Sequence, residues 1–210
     1  MNKIKIINIL KLSYPQAKCS LHFKNPWELL VATILSAQCA DRRVNLVTEN
    51  LFKKYLTISD YADSNLLNLE KDIKSTGFYR NKAKNIQNSA KKIMQQFSEK
   101  VPNQMNQLLE LPGVARKTAN VVLGNAFGKA EGIVVDTHVG RVSQRLGLTK
   151  NKDPKKIEQD LLGIIDRSNW IWFSHAVIEH GRSVCQAKKP KCLECPFKDV
   201  CPSKQVFYPE

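Results

Sequence analysis

Apolar residues in this chain recur mostly at three- and four-residue intervals, the spacing of amphipathic helices, and strand-like alternation is nearly absent. Asn25-Pro26-Trp27-Glu28 reads as an N-cap, a proline at the first helical position and a glutamate at the third, opening a helix through Leu29, Leu30, Ile34 and Leu35. Asp41 is the candidate cap of a following helix that carries Val44, Val47 and Leu51. Beyond Gly77, Ala83, Ile86, Ala90, Ile93 and Phe97 step by three and four, while Lys82, Lys84, Lys91 and Lys92 fall largely elsewhere, which predicts a helix with a basic exterior. Asp153-Pro154 repeats the cap-and-proline opening before Ile157, Leu161 and Ile164, and Ser168 is a candidate cap for a helix ending at Gly181. Only Ile133-Val134-Val135 has strand character. The expected fold class is all-α, with no internal repeat, low-complexity tract or Gly/Ser linker dividing it.

From residue 108 to 126 the chain reads as a helix end, a tight Pro112-Gly113 turn and a second helix, a helix-hairpin-helix. Such a turn presents the unpaired backbone N–H groups of the second helix's first turn at the surface, where they can hold a phosphate oxygen. Ala115, Ala119, Val122 and Ala126 form a stripe of small residues for close helix packing, and Lys117, Asn120 and Gly124 lie roughly opposite. Lys117 is therefore expected to point away from the hairpin's core. Periodicity fits a solvated lysine there as well as a nucleophile, and Asp136 fits the N-cap of a helix carrying Val139, Val142 and Leu146 as well as a functional carboxylate.

Charge narrows the choice of partner. Lys and Arg outnumber Asp and Glu by 33 to 19, giving +14 and a pI near 9.6, and 42% apolar content over 210 residues is enough for one large domain or two small ones. A polyanion is the expected partner. Nucleic acid fits because phosphate neutralisation releases counterions, and an anionic membrane surface is the rival. The first residues lack the apolar run of a signal peptide and no stretch is long enough to span a bilayer, so a soluble, cytoplasmic protein is expected. Cys185, Cys192, Cys195 and Cys201 crowd together in the pattern Cys-x6-Cys-x2-Cys-x5-Cys, pointing to a metal site and away from disulfides. Four thiolates suit tetrahedral zinc or a [4Fe–4S] cluster. Cys19 and Cys39 are expected to be buried as small apolar residues.

Leu111-Pro112-Gly113-Val114-Ala115-Arg116-Lys117-Thr118-Ala119-Asn120, followed by Val135-Asp136-Thr137-His138, with Ser36-Ala37-Gln38 before them and the four cysteines after, resembles the endonuclease III family of DNA glycosylases over practically the whole chain. That resemblance implies two helical lobes flanking a DNA cleft. Residues 19–130 would form the one with the hairpin, and residues 1–18 with 131–210 the other, carrying a [4Fe–4S] loop at 185–201. It implies that Lys117 is the nucleophile of a bifunctional glycosylase and abasic-site lyase acting on oxidised pyrimidines, with Asp136 its carboxylate partner at the cleft. Gln38 matches the family's inserted glutamine. Phe78 falls where the family sets an apolar residue against the opposite strand, though a core aromatic is the other reading.

Gly113, Ala115 and Arg116 would grip the backbone, and Lys188, Lys189 and Lys191 around Pro190 would form a second basic projection toward it. The implied partner is double-stranded DNA with damaged bases or abasic sites, bound by a monomer associated with a bacterial-type nucleoid. Ala115 departs from the family, which usually has a second glycine there. The related adenine glycosylase fits less well because it lacks the lysine. A pyrimidine-dimer glycosylase, or a non-catalytic helix-hairpin-helix protein that only grips DNA, stays open at this level. His138 is expected to pack or to start its helix.

Overall fold

The computed structural model describes residues 3–208, and helices are the only regular elements among them. In chain order they are α1 (Lys3–Ser13), α2 (Pro26–Leu35), α3 (Asp41–Lys54), α4 (Ile58–Ala62), α5 (Leu66–Asp72), α6 (Tyr79–Gln96), α7 (Met105–Leu109), α8 (Arg116–Phe127), α9 (Thr137–Arg145), α10 (Pro154–Leu162), α11 (Trp170–Ser183) and α12 (Lys204–Phe207). Single 3-10 turns lie at Lys74–Thr76, Arg167–Asn169 and Cys192–Glu194. The Ile133–Val135 run finds no strand to pair with. It is a connector whose Ile133 is buried in a core of helices. No described helix is long and apolar enough to cross a membrane.

Side-chain caps start five of these helices, α2, α4, α5, α9 and α10. Asn25 accepts the Glu28 N–H at 2.9 Å while the Glu28 carboxylate accepts the Lys24 N–H at 2.6 Å, and Asp153 accepts the Lys156 N–H at 3.0 Å. Three boundaries, on two helices, differ from the sequence reading. Asp41 is the first residue inside α3, and Ala40 holds the cap position without a side-chain bond. α11 begins at Trp170, after the 3-10 turn that contains Ser168, and runs past Gly181 to Ser183. Gly181 does not stop the helix because its role is close packing: a Cβ there would sit 3.0 Å from the His138 side chain of α9.

The chain divides into two compact units. In the Cys19–Glu131 unit, α2 is buried on every side, from Trp27 through Leu29 to Leu35, with α3, α6 and α8 packed against it. Because α8 meets both α2 and α7, it buries Asn120 and Gly124 along with Ala119, Val122 and Leu123. The apolar face is wider than the small-residue stripe, and Ala115, expected within that stripe, is exposed at the helix start. In the other unit, formed by the chain up to Lys18 and from Gly132 onward, Ile6 and Leu10 of α1 join Val139, Val142, Ile157, Leu161, Phe173, Val177 and Phe197 in a second core. The Trp172 indole N–H donates to the Tyr14 carbonyl at 2.9 Å, tying α11 to the end of α1.

Candidate active site and cysteine centre

The hairpin joins α7 to α8 through a turn that needs its glycine. Gly113 has φ +77°, and a Cβ there would fall 2.6 Å from Nδ2 of Asn85 on α6. The turn is held from beneath by α6. Ser89 donates to the Pro112 carbonyl at 3.0 Å, and Lys92 donates to the Glu110 carbonyl at 3.1 Å and pairs with its carboxylate at 3.1 Å. Above this support Gly113, Ala115, Arg116 and Lys117 are all exposed. Ala115 is the N-cap of α8 and supplies no side-chain hydrogen bond, so no side chain of its own closes the helix's positive end. Lys117 stands in that first turn.

Gln38 and Phe78 lie in the same unit, and both are exposed residues in left-handed backbone, with φ 54° and 48°. Neither is glycine, and such a conformation costs on the order of 1–3 kcal/mol for each. Phe78 is 65% exposed, so it is not a core aromatic. Between their loops lies Lys82, which the sequence places on the basic exterior and the structure buries to 4% exposure. The signal was present in the pattern: Lys82 precedes Ile86, Ser89 and Ile93 at four, three and four residues, on the buried stripe. Lys84 and Lys91 are exposed as expected. Cys19 and Cys39 are half-buried against the core of this unit.

In the second unit, Asp136 caps α9. The N–H groups of His138 and Val139 donate to its Oδ1 at 2.9 and 2.8 Å, which fixes the carboxylate at the helix's positive end. His138 packs beside Gly181, and Arg141 donates to its Nδ1 at 3.1 Å. Arg141 also reaches the carbonyls of Gly181 and Cys185, at 2.9 and 3.1 Å. α9 thus runs from Asp136 at one end to contacts with the cysteine loop at the other.

Cys185, Cys192, Cys195 and Cys201 line a single recess with Arg145 and His180. All four thiols are free of disulfides. Burial pushes the Cys195 thiol up to about 11 and raises Cys192 and Cys201, with the neighbouring cysteines adding to the shift. Thiolates gathered here therefore need a cationic group to balance them. Donors to sulfur are already in place: the Arg145 guanidinium lies 3.4 Å from Cys185 Sγ and the Phe197 N–H 3.4 Å from Cys195 Sγ. Among the described residues no three His, Cys, Asp or Glu side chains are close enough to hold a single metal ion. Four cysteines around one recess can supply their thiolates to one bound group.

Arg145, which motif reading passed over, also donates to the carbonyls of Gln186 and Ala187 at 2.7 and 2.8 Å and stacks on Phe207 at 4.4 Å. It stiffens the loop on which Lys188, Lys189 and Lys191 are exposed around buried Pro190.

Residues 31–167 match the HhH-GPD superfamily of base excision DNA repair proteins, and residues 185–201 match the iron-sulfur binding domain of endonuclease III. The chain is 55% identical to the endonuclease III of Synechocystis sp. over 202 residues, covering 96% of this chain and 92% of that one. It is 48% identical to the endonuclease III of Bacillus subtilis over 189 residues, covering 90% and 86%. A solved structure of a trapped endonuclease III–DNA covalent intermediate, an estranged-adenine complex, matches it with a TM-score of 0.92 at 43% identity, covering 98% of both chains.

Proposed function

The chain belongs to the endonuclease III family within the HhH-GPD superfamily of base excision DNA repair proteins, and from that premise we propose that Lys117 and Asp136 carry out its chemistry on oxidised pyrimidines in duplex DNA. It is a DNA glycosylase and abasic-site lyase whose partner is DNA. The exposed amine of Lys117, in the uncapped first turn of α8, is the observation that carries the assignment of roles. A DNA-bound covalent intermediate in a relative 43% identical supports a nucleophile of this kind.

In the reaction the neutral Lys117 amine attacks C1′ of the damaged nucleoside. A C1′–N bond to lysine forms as the glycosidic bond breaks, and the base leaves with the electron pair and takes up a proton. The Asp136 carboxylate stabilises the positive charge that develops on the sugar. Ring opening leaves a protonated imine between Lys117 and C1′. Loss of a C2′ proton then drives β-elimination: the C3′–O bond breaks, the 3′ phosphate leaves with its electrons, and hydrolysis of the imine returns the lysine.

The α8 N-terminus, with Gly113, Ala115 and Arg116, holds backbone phosphate near the reacting nucleotide. Lys188, Lys189 and Lys191 make a second phosphate contact from the stiffened cysteine loop. Gln38 and Phe78 enter the base stack when the damaged base is rotated out. The enzyme works as a monomer in the cytoplasm, on the chromosome.

The chain holds an iron–sulfur cluster through Cys185, Cys192, Cys195 and Cys201. We assign it as [4Fe–4S], which four cysteines around one recess and the match of residues 185–201 to the iron-sulfur binding domain of endonuclease III support. When bound, the cluster crosslinks the loop and balances thiolate charge, and the base-removal steps need no electron transfer from it. Analysis of the isolated protein should find four irons and four sulfides per chain, and a single zinc ion would overturn the assignment. For the reaction, borohydride reduction with a duplex containing thymine glycol should trap a covalent complex with the parent protein and none with Lys117→Ala. Undiminished strand cleavage by Lys117→Ala would remove Lys117 from the mechanism.

A further inference from the structure

Lys82 is the only lysine among the described residues that is buried by its surface exposure, and no carboxylate among them pairs with it. Its ammonium donates to the carbonyl of Leu35 at 2.8 Å and to the carbonyl of Thr76 at 2.8 Å. Leu35 is the last residue of α2 and Thr76 the last residue of the 3-10 turn that follows α5. Both carbonyls belong to helix ends, where backbone acceptors lack intrahelical partners and the local dipole favours a cation. Burial lowers the pKa of the Lys82 amine, so holding the charge there works against desolvation.

The two carbonyls it joins precede the two strained loops. Three residues after Leu35 comes Gln38, and two after Thr76 comes Phe78, both exposed and both at positive φ. Lys82 itself lies in the first turn of α6, directly beyond Phe78. On the same face of α6, at three, four and three residues, Lys82, Asn85, Ser89 and Lys92 touch in turn the Gln38 and Phe78 loops and the hairpin turn. One helix face therefore sets the register of three exposed loops of this unit.

We propose that Lys82 is a positioning residue for base extrusion: its ammonium locks the Gln38 and Phe78 loops in one relative register, so that both side chains meet the duplex already placed. Left-handed, non-glycine residues persist only where the surroundings over-determine them, and a buried ammonium bonded to both loop bases supplies that constraint. Pre-placed side chains spare the enzyme from ordering two loops while it unstacks a base. The inference rests on the reading that Gln38 and Phe78 enter the stack. The Lys82 ammonium is bonded to the Leu35 and Thr76 carbonyls and takes no part in the chemistry at the sugar, so its loss should slow only the step before it.

The test compares one lesion in two settings under single turnover: thymine glycol paired in a duplex, where it must be unstacked, and the same lesion in an unpaired bubble. Lys82→Met keeps the aliphatic stem and removes the ammonium, and Lys82→Gln keeps one donor. Lys82→Met should be slowed roughly ten- to hundredfold on the duplex and about twofold or less on the bubble. Lys82→Gln should fall between it and the parent.

A structural defect alone would slow both substrates equally, and that result would overturn the proposal. If Lys82→Met does not fold, the same comparison is made with Lys82→Gln, whose selective slowing on the duplex supports the proposal and whose equal rates on both overturn it. Gln38→Ala and Phe78→Ala serve as the reference pair. Duplex-selective slowing in these two, with none in the Lys82 variants, overturns the role of Lys82. Absence of duplex selectivity in the reference pair overturns the reading on which it rests.

Discussion

The N-termini of α8 and α9 begin with nearly the same backbone and end in opposite chemistry. Ala115 caps α8 at φ −90° and ψ 169°, Asp136 caps α9 at φ −99° and ψ −173°, and both are extended. At α9 the cap residue's own carboxylate receives two N–H groups. At α8 the cap is a methyl group, and the first turn carries Arg116 and Lys117 with no acidic residue. One positive helix end is neutralised from within and the other is left for an anion brought from outside. Under the proposed function, the same local geometry would anchor the carboxylate in one unit and receive a phosphate in the other. The difference lies in a single side chain at each cap.

The largest effect expected from breaking this contrast is at Asp136, because there the cap and the charge share one group. Asparagine caps a helix as well as aspartate does, so Asp136→Asn should melt near the parent protein. Without the negative charge its single-turnover base removal should fall by about 10²–10⁴-fold. Asp136→Ala loses the cap as well, at about 1 kcal/mol, and its Tm should drop by roughly 2–4 °C. Calorimetry with single-turnover kinetics on both variants separates the roles. If Asp136→Asn cleaves at the parent rate, the carboxylate is a cap and nothing more.

Caps and apolar spacing made most of the fold legible. Asn25, Asp136 and Asp153 each accept the N–H bonds that their sequence context implies, and the α6 residues Ala83, Ile86, Ala90 and Ile93 are all buried. What failed to show was what depends on more than one neighbour. Asn120 and Gly124 of α8 are buried because α8 is packed by two helices at once, whereas a stripe argument allows only one. Gly181 sits mid-helix because His138 approaches it from α9, a contact between distant parts of the chain.

Local side-chain character also hid two features of the candidate site. Lysine at position 82 suggests solvent, and only its phase against Ile86 and Ile93 places it inside. The positive φ of Gln38 and Phe78 leaves no trace in residue type, since neither is the glycine or asparagine that normally marks such backbone. The cysteine centre was legible because four like ligands at fixed spacing have few other uses. Arg145, which braces that loop through three contacts to it, carries no such motif.

A smaller and more informative perturbation gives α8 the cap that α9 has. Ala115→Ser adds a hydroxyl acceptor without charge, and Ala115→Asp adds the acceptor together with a carboxylate at the helix end. Both should stabilise the protein, by about 0.5–1 kcal/mol or a Tm rise of roughly 1–4 °C, because each satisfies N–H groups that Ala115 does not. Their effects on DNA should diverge. Serine competes for hydrogen bonds only and should weaken binding slightly. Aspartate occupies the place of the phosphate with like charge, and the slope of log K against log salt should fall by about one unit, the signature of one lost phosphate contact.

Melting curves and salt titrations of binding to an undamaged duplex read out both quantities without any catalytic step. A more stable Ala115→Asp protein that binds DNA less tightly establishes that α8 leaves its N-terminus open at a cost in stability. The missing cap is then a binding feature. If Ala115→Asp binds with parental affinity and slope, no phosphate meets this helix end, and the difference between α8 and α9 is reduced to one well-capped helix and one poorly capped helix.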